Sequence, residues 1–282
     1  MRDSCRRARQ RRLSSRHEVQ AGMDNARTGL SLTLIAVSDF PLVEPGDDLA
    51  EVICGVVETN GPELVDHDVI VLAQKVVSKA EGRYVDQAAV KPGSQALALS
   101  VKVQKDPRLV EVILSESRRV VRHRPGVLIV EHRLGFVVAN AGVDQSNVDP
   151  AKGIEPVLLL PRDPDSSAQR LHERFRQRLG KMVGVVINDS FGRAWRLGTV
   201  GVALGAAGLP ALMNLRGKPD LYGRRLQVSE TAFADEIAAA SSLLMGQANE
   251  ATPAVVLRGL AWSGQTLPAA ALMRNPEDDL FR

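Results

Sequence analysis

Apolar and polar positions run along this chain in two rhythms, and the changes between them mark its elements. LSLTLIAV (Leu30–Val37) alternates and is rich in β-formers, which predicts a strand. Pro41, Pro45 and Gly46 then break the chain, and Asp47 or Asp48 is placed to cap a helix over Leu49–Thr59. DVIVLAQ, from Asp68, predicts a buried strand, and SKAEGR, from Ser78, closes that unit. DPRLVEVILSESRRVVRH, from Asp106, predicts one helix. Asp106 is its cap, Pro107 its first residue, and Leu109, Val112, Ile113, Val120 and Val121 share one face. GVLIVEH and GFVVANAG read as two strands joined by a basic turn at Arg133, Leu134 and Gly135.

PVLLL reads as another strand. DPDSSAQRLHERFRQRLG predicts a helix with Leu171, Phe175 and Leu179 inward. MVGVVINDS is a strand ending in polar residues, TAFADEIAAASSLLMG an Ala-rich helix stopped by Gly246, and PAVVLRGL a last strand. No internal repeat occurs between residues 29 and 260. Strands and helices mix without a regular βαβ beat, so the fold class is α+β, or irregular α/β, as two packed lobes.

At 282 residues the chain can bury a large core, and aromatics make up only 4%, so Val, Leu, Ile and Ala must fill it. No apolar run reaches the roughly 18 residues of a membrane span. Two cysteines, Cys5 and Cys54, build neither a disulfide framework nor a thiolate site, which fits a reducing, cytoplasmic setting. The histidines include no pair at helical zinc spacing, so any metal should be a hard one held by oxygen.

Charge changes the picture at one end only. Residues 1–28 carry eight Arg against Asp3, Glu18 and Asp24, an excess larger than the +3 of the whole chain, so the remainder is mildly acidic. We expect a disordered basic tail there, or a natural start at Met23. Without a folded basic face or aromatic platforms, nucleic acid is not an expected partner. The domain reading is tail 1–28, one domain 29–260, and a C-terminal extension 261–282.

Two stretches carry candidate chemistry. Asn140, Gly142, Asp144, Ser146 and Asn147 crowd together after an apolar run, and INDSFGRAWRLG centres a second acidic turn on Asp189 and Ser190. Short oxygen-bearing side chains turn the chain. Two carboxylates and a hydroxyl at strand ends also suit Mg²⁺ or Mn²⁺ shared with phosphates. Arg193 and Arg196 add bidentate forks for phosphate or substrate carboxylates. Lys75, Ser78, Lys79 and Arg83 follow another apolar strand. RGKP at 216–219 is not a phosphate-binding loop, GVALGAAG lacks dinucleotide spacing and reads as a packing segment, and no G-x-S-x-G elbow occurs.

PGDDLAEVI, VSKAEGR, RPGVLIVEHRLGFVVANAGVDQSNV, LLLPRDPDSSAQRL, VGVVINDSFGRAWRLG, DLYGRRLQV, ADEIAAASSLLMGQA and PAVVLRGL follow one another in order. Together they resemble the coenzyme F420-0:L-glutamate ligase family over roughly Leu32–Leu260. The resemblance implies a fold particular to that family, a homodimer, and GTP-dependent joining of L-glutamate to coenzyme F420-0 with γ-linked extension. It implies Mg²⁺ or Mn²⁺, with K⁺ as a further cation. Carried over by motif, Asp144, Asp189, Ser190 and Gln247 would hold metal. GTP would meet Phe40, Pro41, Leu42, Val43, Ser78, Lys79, Arg83, Asn147, Met245, Gly246, Gln247 and Ala248. Two alternatives stand beside this: a non-catalytic GTP- and metal-binding module, and an amide ligase of the same fold for another carboxylate.

Overall fold

The computed structural model describes residues 31–148 and 155–280. The expectations for the tail 1–28 and for Met23 lie outside these residues. The described residues from Leu34 onward form one compact unit. No described helix is long and apolar enough to cross a membrane.

The fold is mixed α/β. Its main sheet has five strands, in the order β1 (Thr33–Ala36), β12 (Ala254–Arg258), β2 (Val69–Ala73), β8 (Gly184–Arg193) and β9 (Arg196–Ala207). β2 and β8 run parallel, from Val69 opposite Gly184 to Ala73 opposite Asn188. β12 lies antiparallel to β2 and β9 antiparallel to β8. β2 is covered on both faces, which is why it reads as an unbroken apolar run. Ile70 and Leu72 enter a core with Ile53 of α1 (Leu49–Asn60) and Phe175 of α5 (Pro164–Leu179). Val69 and Val71 enter the opposite core, with Phe233 and Ile237 of α6 (Phe233–Met245).

A three-stranded sheet, β4 (Ser117–Arg124), β5 (Val127–His132) and β6 (Val137–Ala139), packs with α3 (Ser94–Val103) and α4 (Pro107–Ser115) around Val110, Ile113 and Leu128. β3 (Tyr84–Asp86) pairs with β7 (Pro156–Leu158), and β10 (Met213–Asn214) with β11 (Glu230–Thr231). Asp48 caps α1, accepting from the amides of Ala50 and Glu51, as its place before the apolar run predicts.

Three expectations are corrected. The helix from Asp106 stops at Ser115, and SRRVVRHR is strand β4. Val120 and Val121 therefore belong to a sheet: Val120 pairs with Val130 of β5, Val121 lies at an irregularity before Arg122, and β-branched side chains suit a pleated surface. Next, Asp189 and Ser190 do not sit in a turn. They lie within β8, opposite Val202 and Gly201 of β9, and the reversal comes beyond Arg193. Finally, the strand from Asp68 stops at Ala73, and Gln74–Ala80, which takes in the Gln74 read as strand and the start of the closing SKAEGR, is a helix, α2.

The GVALGAAG packing segment lies in β9. A Cβ at Gly205 would collide with the carbonyl of Pro164, and one at Gly201 with the carbonyl of Ala238. Helices on opposite faces thus approach one strand at backbone contact. Gly205→Ala is expected to cost about 1–3 kcal/mol through overpacking, seen as a lower urea midpoint at unchanged slope. An unchanged midpoint would refute the close approach.

Candidate functional site

Several chain segments meet at one end of the main sheet because of its pairing. β2 ends at Ala73, opposite Asn188, and runs directly into α2, which carries Lys75. β12 begins at Ala254, opposite Leu72, so the segment from Met245 to Pro253 arrives at the same end. The amide of Val37 donates to the Ala254 carbonyl (3.0 Å), which brings Phe40–Glu44 there too. Asp144 is fixed by a two-way bridge with Leu158 (2.9 and 2.8 Å). These segments line a cavity of about 770 Å³.

Side chains alternate along β8. Val185, Ile187 and Phe191 belong to the core on the α1/α5 face, which sets Asp189 toward that side. Asn188 and Ser190 turn to α6 and the segment after it. Asn188 Nδ2 donates to Ser242 Oγ (3.0 Å) and Met245 Sδ (3.3 Å), and Gln247 Nε2 donates to Ser190 Oγ (2.8 Å). Asn147 Nδ2 donates to the Ala248 carbonyl (3.0 Å), joining two rims of the cavity. Gly246 turns the chain at φ +69°, where a Cβ would strike the Glu250 carboxylate. That carboxylate accepts from the Ala248 amide (2.7 Å).

The carboxylates are unequal. Lys75 Nζ lies 2.7 Å from Asp144 Oδ2, and the Ser146 amide and hydroxyl donate to Oδ1 (2.7 and 2.8 Å). Burial works against the Asp144 charge, but these partners outweigh it and hold its pKa below the ordinary value. Asp189 accepts from the Ser190 amide (2.8 Å). Burial, with the Asp144 charge adding to it, pushes Asp189 up to about 6 against that amide and Lys75.

Two acidic side chains from distant segments, close enough to feel each other's charge, suit a hard cation. So do the hydroxyl of Ser190 and the amide of Gln247. The buried Asn188 Oδ1 has no hydrogen-bond partner, an acceptor that a bound cation or donor would satisfy. Among the described residues, no group of three or more His, Cys, Asp or Glu could hold a metal by itself. Besides the two carboxylates, such a site would draw on neutral oxygens such as those of Ser190 and Gln247.

A family model described as F420-0:Gamma-glutamyl ligase matches residues 38–259. The chain belongs to the F420-0:gamma-glutamyl ligase family. It is 43% identical over 258 residues to the coenzyme F420:L-glutamate ligase of Methanothermobacter thermautotrophicus, covering 90% of this chain and 100% of that protein. It is 45% identical to the protein of the same name from Methanopyrus kandleri (89% and 99% covered), and 39% identical to that of Archaeoglobus fulgidus (90% and 97%).

Of the residues named from the ligase-family motifs, Asp144, Asp189, Ser190 and Gln247 line the cavity together. Phe40–Val43, Lys79, Asn147, Met245, Gly246 and Ala248 line it as well. Ser78, Arg83, Arg193 and Arg196 are not in the lining. Ser78 is buried and donates to Gln74 Oε1 (2.9 Å). Arg193 and Arg196 form the last pair of the β8–β9 hairpin and are exposed. The lining also includes Asn188, Glu44 and Glu250, which the motifs did not single out. For Asn188 a signal existed: an amide ending a run of buried aliphatics, VVIN.

Arg83 donates to the Leu160 carbonyl and to Glu116 Oε2 (both 2.9 Å). Arg133 Nε donates to the same oxygen (3.0 Å), and His132 Nε2 lies 3.5 Å from it. Burial opposes the Glu116 charge, but His132, Arg133 and Arg83 outweigh it and hold the carboxyl at about 2. Its ordinary value is 4.5, so the stabilisation is full above that pH and is lost as pH falls toward 2. Glu116→Gln is expected to cost about 3 kcal/mol at pH 7. In urea unfolding series at pH 7, 4 and 3 the deficit should shrink with acidity. A deficit independent of pH would refute the assignment.

Proposed function

We propose that this chain ligates L-glutamate to coenzyme F420-0 and extends the product with γ-linked glutamates. The reaction consumes GTP and uses Mg²⁺ or Mn²⁺. Family membership and the ligase names of relatives covered along nearly their whole length support the reaction. The observation that carries the mechanism is the convergence of Asp144 and Asp189, from separate elements, on one cavity with Lys75 and Lys79. Its volume, about 770 Å³, lies within the range of small-molecule sites.

Amide formation from a free carboxylate requires its activation. In this reading the γ-phosphoryl group of GTP passes to the carboxylate oxygen of the deazaflavin side chain, and GDP leaves. The glutamate amino group, having given up a proton, attacks the acyl carbon, and phosphate departs. Asp144, Asp189, Ser190 and Gln247 would hold the divalent ion, which when bound offsets the charge of the phosphate oxygens. Lys75 and Lys79 add positive charge where two anions must approach each other. The Asn147–Ala248 hydrogen bond steadies the rim. K⁺ and a homodimeric assembly belong to the same proposal, on the family resemblance alone.

Incubation with GTP, Mn²⁺, L-glutamate and F420-0 should give glutamylated product by mass spectrometry, with GDP and phosphate released when both acceptors are present. Asp144→Asn and Asp189→Asn should each lower turnover at least about 100-fold, the scale of lost transition-state charge stabilisation. GTP hydrolysis that ignores both acceptors, or tight GTP binding without product, would overturn the proposal.

A further inference from the structure

Lys75 holds its ammonium inside a shell made wholly of oxygen. Nζ lies 2.7 Å from Asp144 Oδ2, 2.7 Å from Ser146 Oγ and 3.4 Å from the Ser146 carbonyl. Carboxylate, hydroxyl and carbonyl are the donor types a hard divalent ion selects. Asp144 has little to spare, because its other oxygen already accepts from the Ser146 amide and hydroxyl. A Mg²⁺-sized ion sits about 2.1 Å from its ligand oxygen. On Oδ2 it would lie against the ammonium, and the two positive charges would repel. Even at the dielectric of water, that repulsion is worth at least about fivefold in affinity.

The side chain has somewhere to go. Lys75 is partly exposed, at 27%, on a stem of four rotatable carbons, and it lines the cavity. Lys79, one turn later on α2, lines it too. An ammonium released from Asp144 therefore stays in a cavity lined by Lys79 and by the carboxylates of Glu44, Asp189 and Glu250, where an anionic oxygen of a bound substrate would meet both lysines.

We propose that Lys75 and a divalent cation compete for Asp144 Oδ2. In this exchange the arriving ion releases the ammonium onto an anionic phosphate or carboxylate oxygen of the substrate in the cavity. Lys75 then acts as a catalytic residue, engaged with substrate only after metal has bound. This rests on the reading of Asp144 as a metal ligand.

The test uses the full chain, stripped with chelator, and counts free Mn²⁺ by electron paramagnetic resonance in parent, Lys75→Gln and Lys75→Arg. Lys75→Gln should bind Mn²⁺ at least about fivefold more tightly than the parent, the charge term above. Its turnover should fall at least about tenfold, the scale of one lost charged contact to the reacting group. Lys75→Arg, which keeps the charge, should bind Mn²⁺ like the parent, and thermal unfolding confirms that both variants fold. Equal or weaker Mn²⁺ binding by Lys75→Gln overturns the competition and leaves the metal reading standing. Tighter binding with undiminished turnover overturns the transfer to substrate. A parent that binds no Mn²⁺, with or without GTP, removes the metal reading and this inference together.

Discussion

The parallel pairing of β2 with β8 is the constraint on which the rest of the site depends. It fixes Ala73 beside Asn188, so the chain leaving β2 enters α2 next to Asp189. With β12 antiparallel on the other edge of β2, the segment from Met245 to Pro253 has to arrive at that same end. Ligands of open α/β sheets collect beyond the carboxyl ends of parallel strands, and this mixed sheet places its cavity in the same way. A slip of one residue in that register would send Asp189 to the α6 side and Ser190 away from Gln247.

Electrostatics at the cavity favour the fold at Asp144 and oppose it at Asp189. Two carboxylates share a partly buried space, and one of them, Asp189, takes up protons more readily than an ordinary Asp. A chain selected for stability alone would separate them or pair both. Here the charge of Lys75 is spent on Asp144. By contrast, the Glu116 cluster gathers Arg83, Arg133 and His132 around one carboxylate and holds its charge firmly. The two clusters show the difference between a charge satisfied within the fold and one left for something else to satisfy.

The legible parts of the sequence were those with local causes. α1, α5 and α6 were readable from caps, apolar spacing and a stopping glycine, and β2, β5 and β12 from short apolar runs. α2 was not, because it follows β2 without punctuation and its cap, Ala73, makes no side-chain hydrogen bond. β4 was misread because Val120 and Val121 fall by chance on the helical face of Val112 and Ile113. Nothing local tells the chain that β5 will pair there. Asp144 and Asp189 stood out as carboxylates near apolar runs, whereas the partners of Arg83 did not. Glu116 lies 33 residues away, and only the folded chain joins the two.

One irregularity in the β8–β9 hairpin has a wider reach. Ile187 faces Gly205, but Asn188 faces Ala203, so Leu204 is an extra residue, a bulge just before the cavity. The Ala203 amide is taken up by Asp235 Oδ1 (2.9 Å), which ties the bulge to the first turn of α6. Lengthening the hairpin at its exposed tip would leave these contacts intact. Removing Leu204 would leave Gly205 and Ala203 still opposite Ile187 and Asn188, in regular one-to-one pairing, but would take a buried leucine out of the core on the α1/α5 face. A change of length at the tip of this hairpin thus leaves the core untouched, whereas one at Leu204 costs the core a side chain.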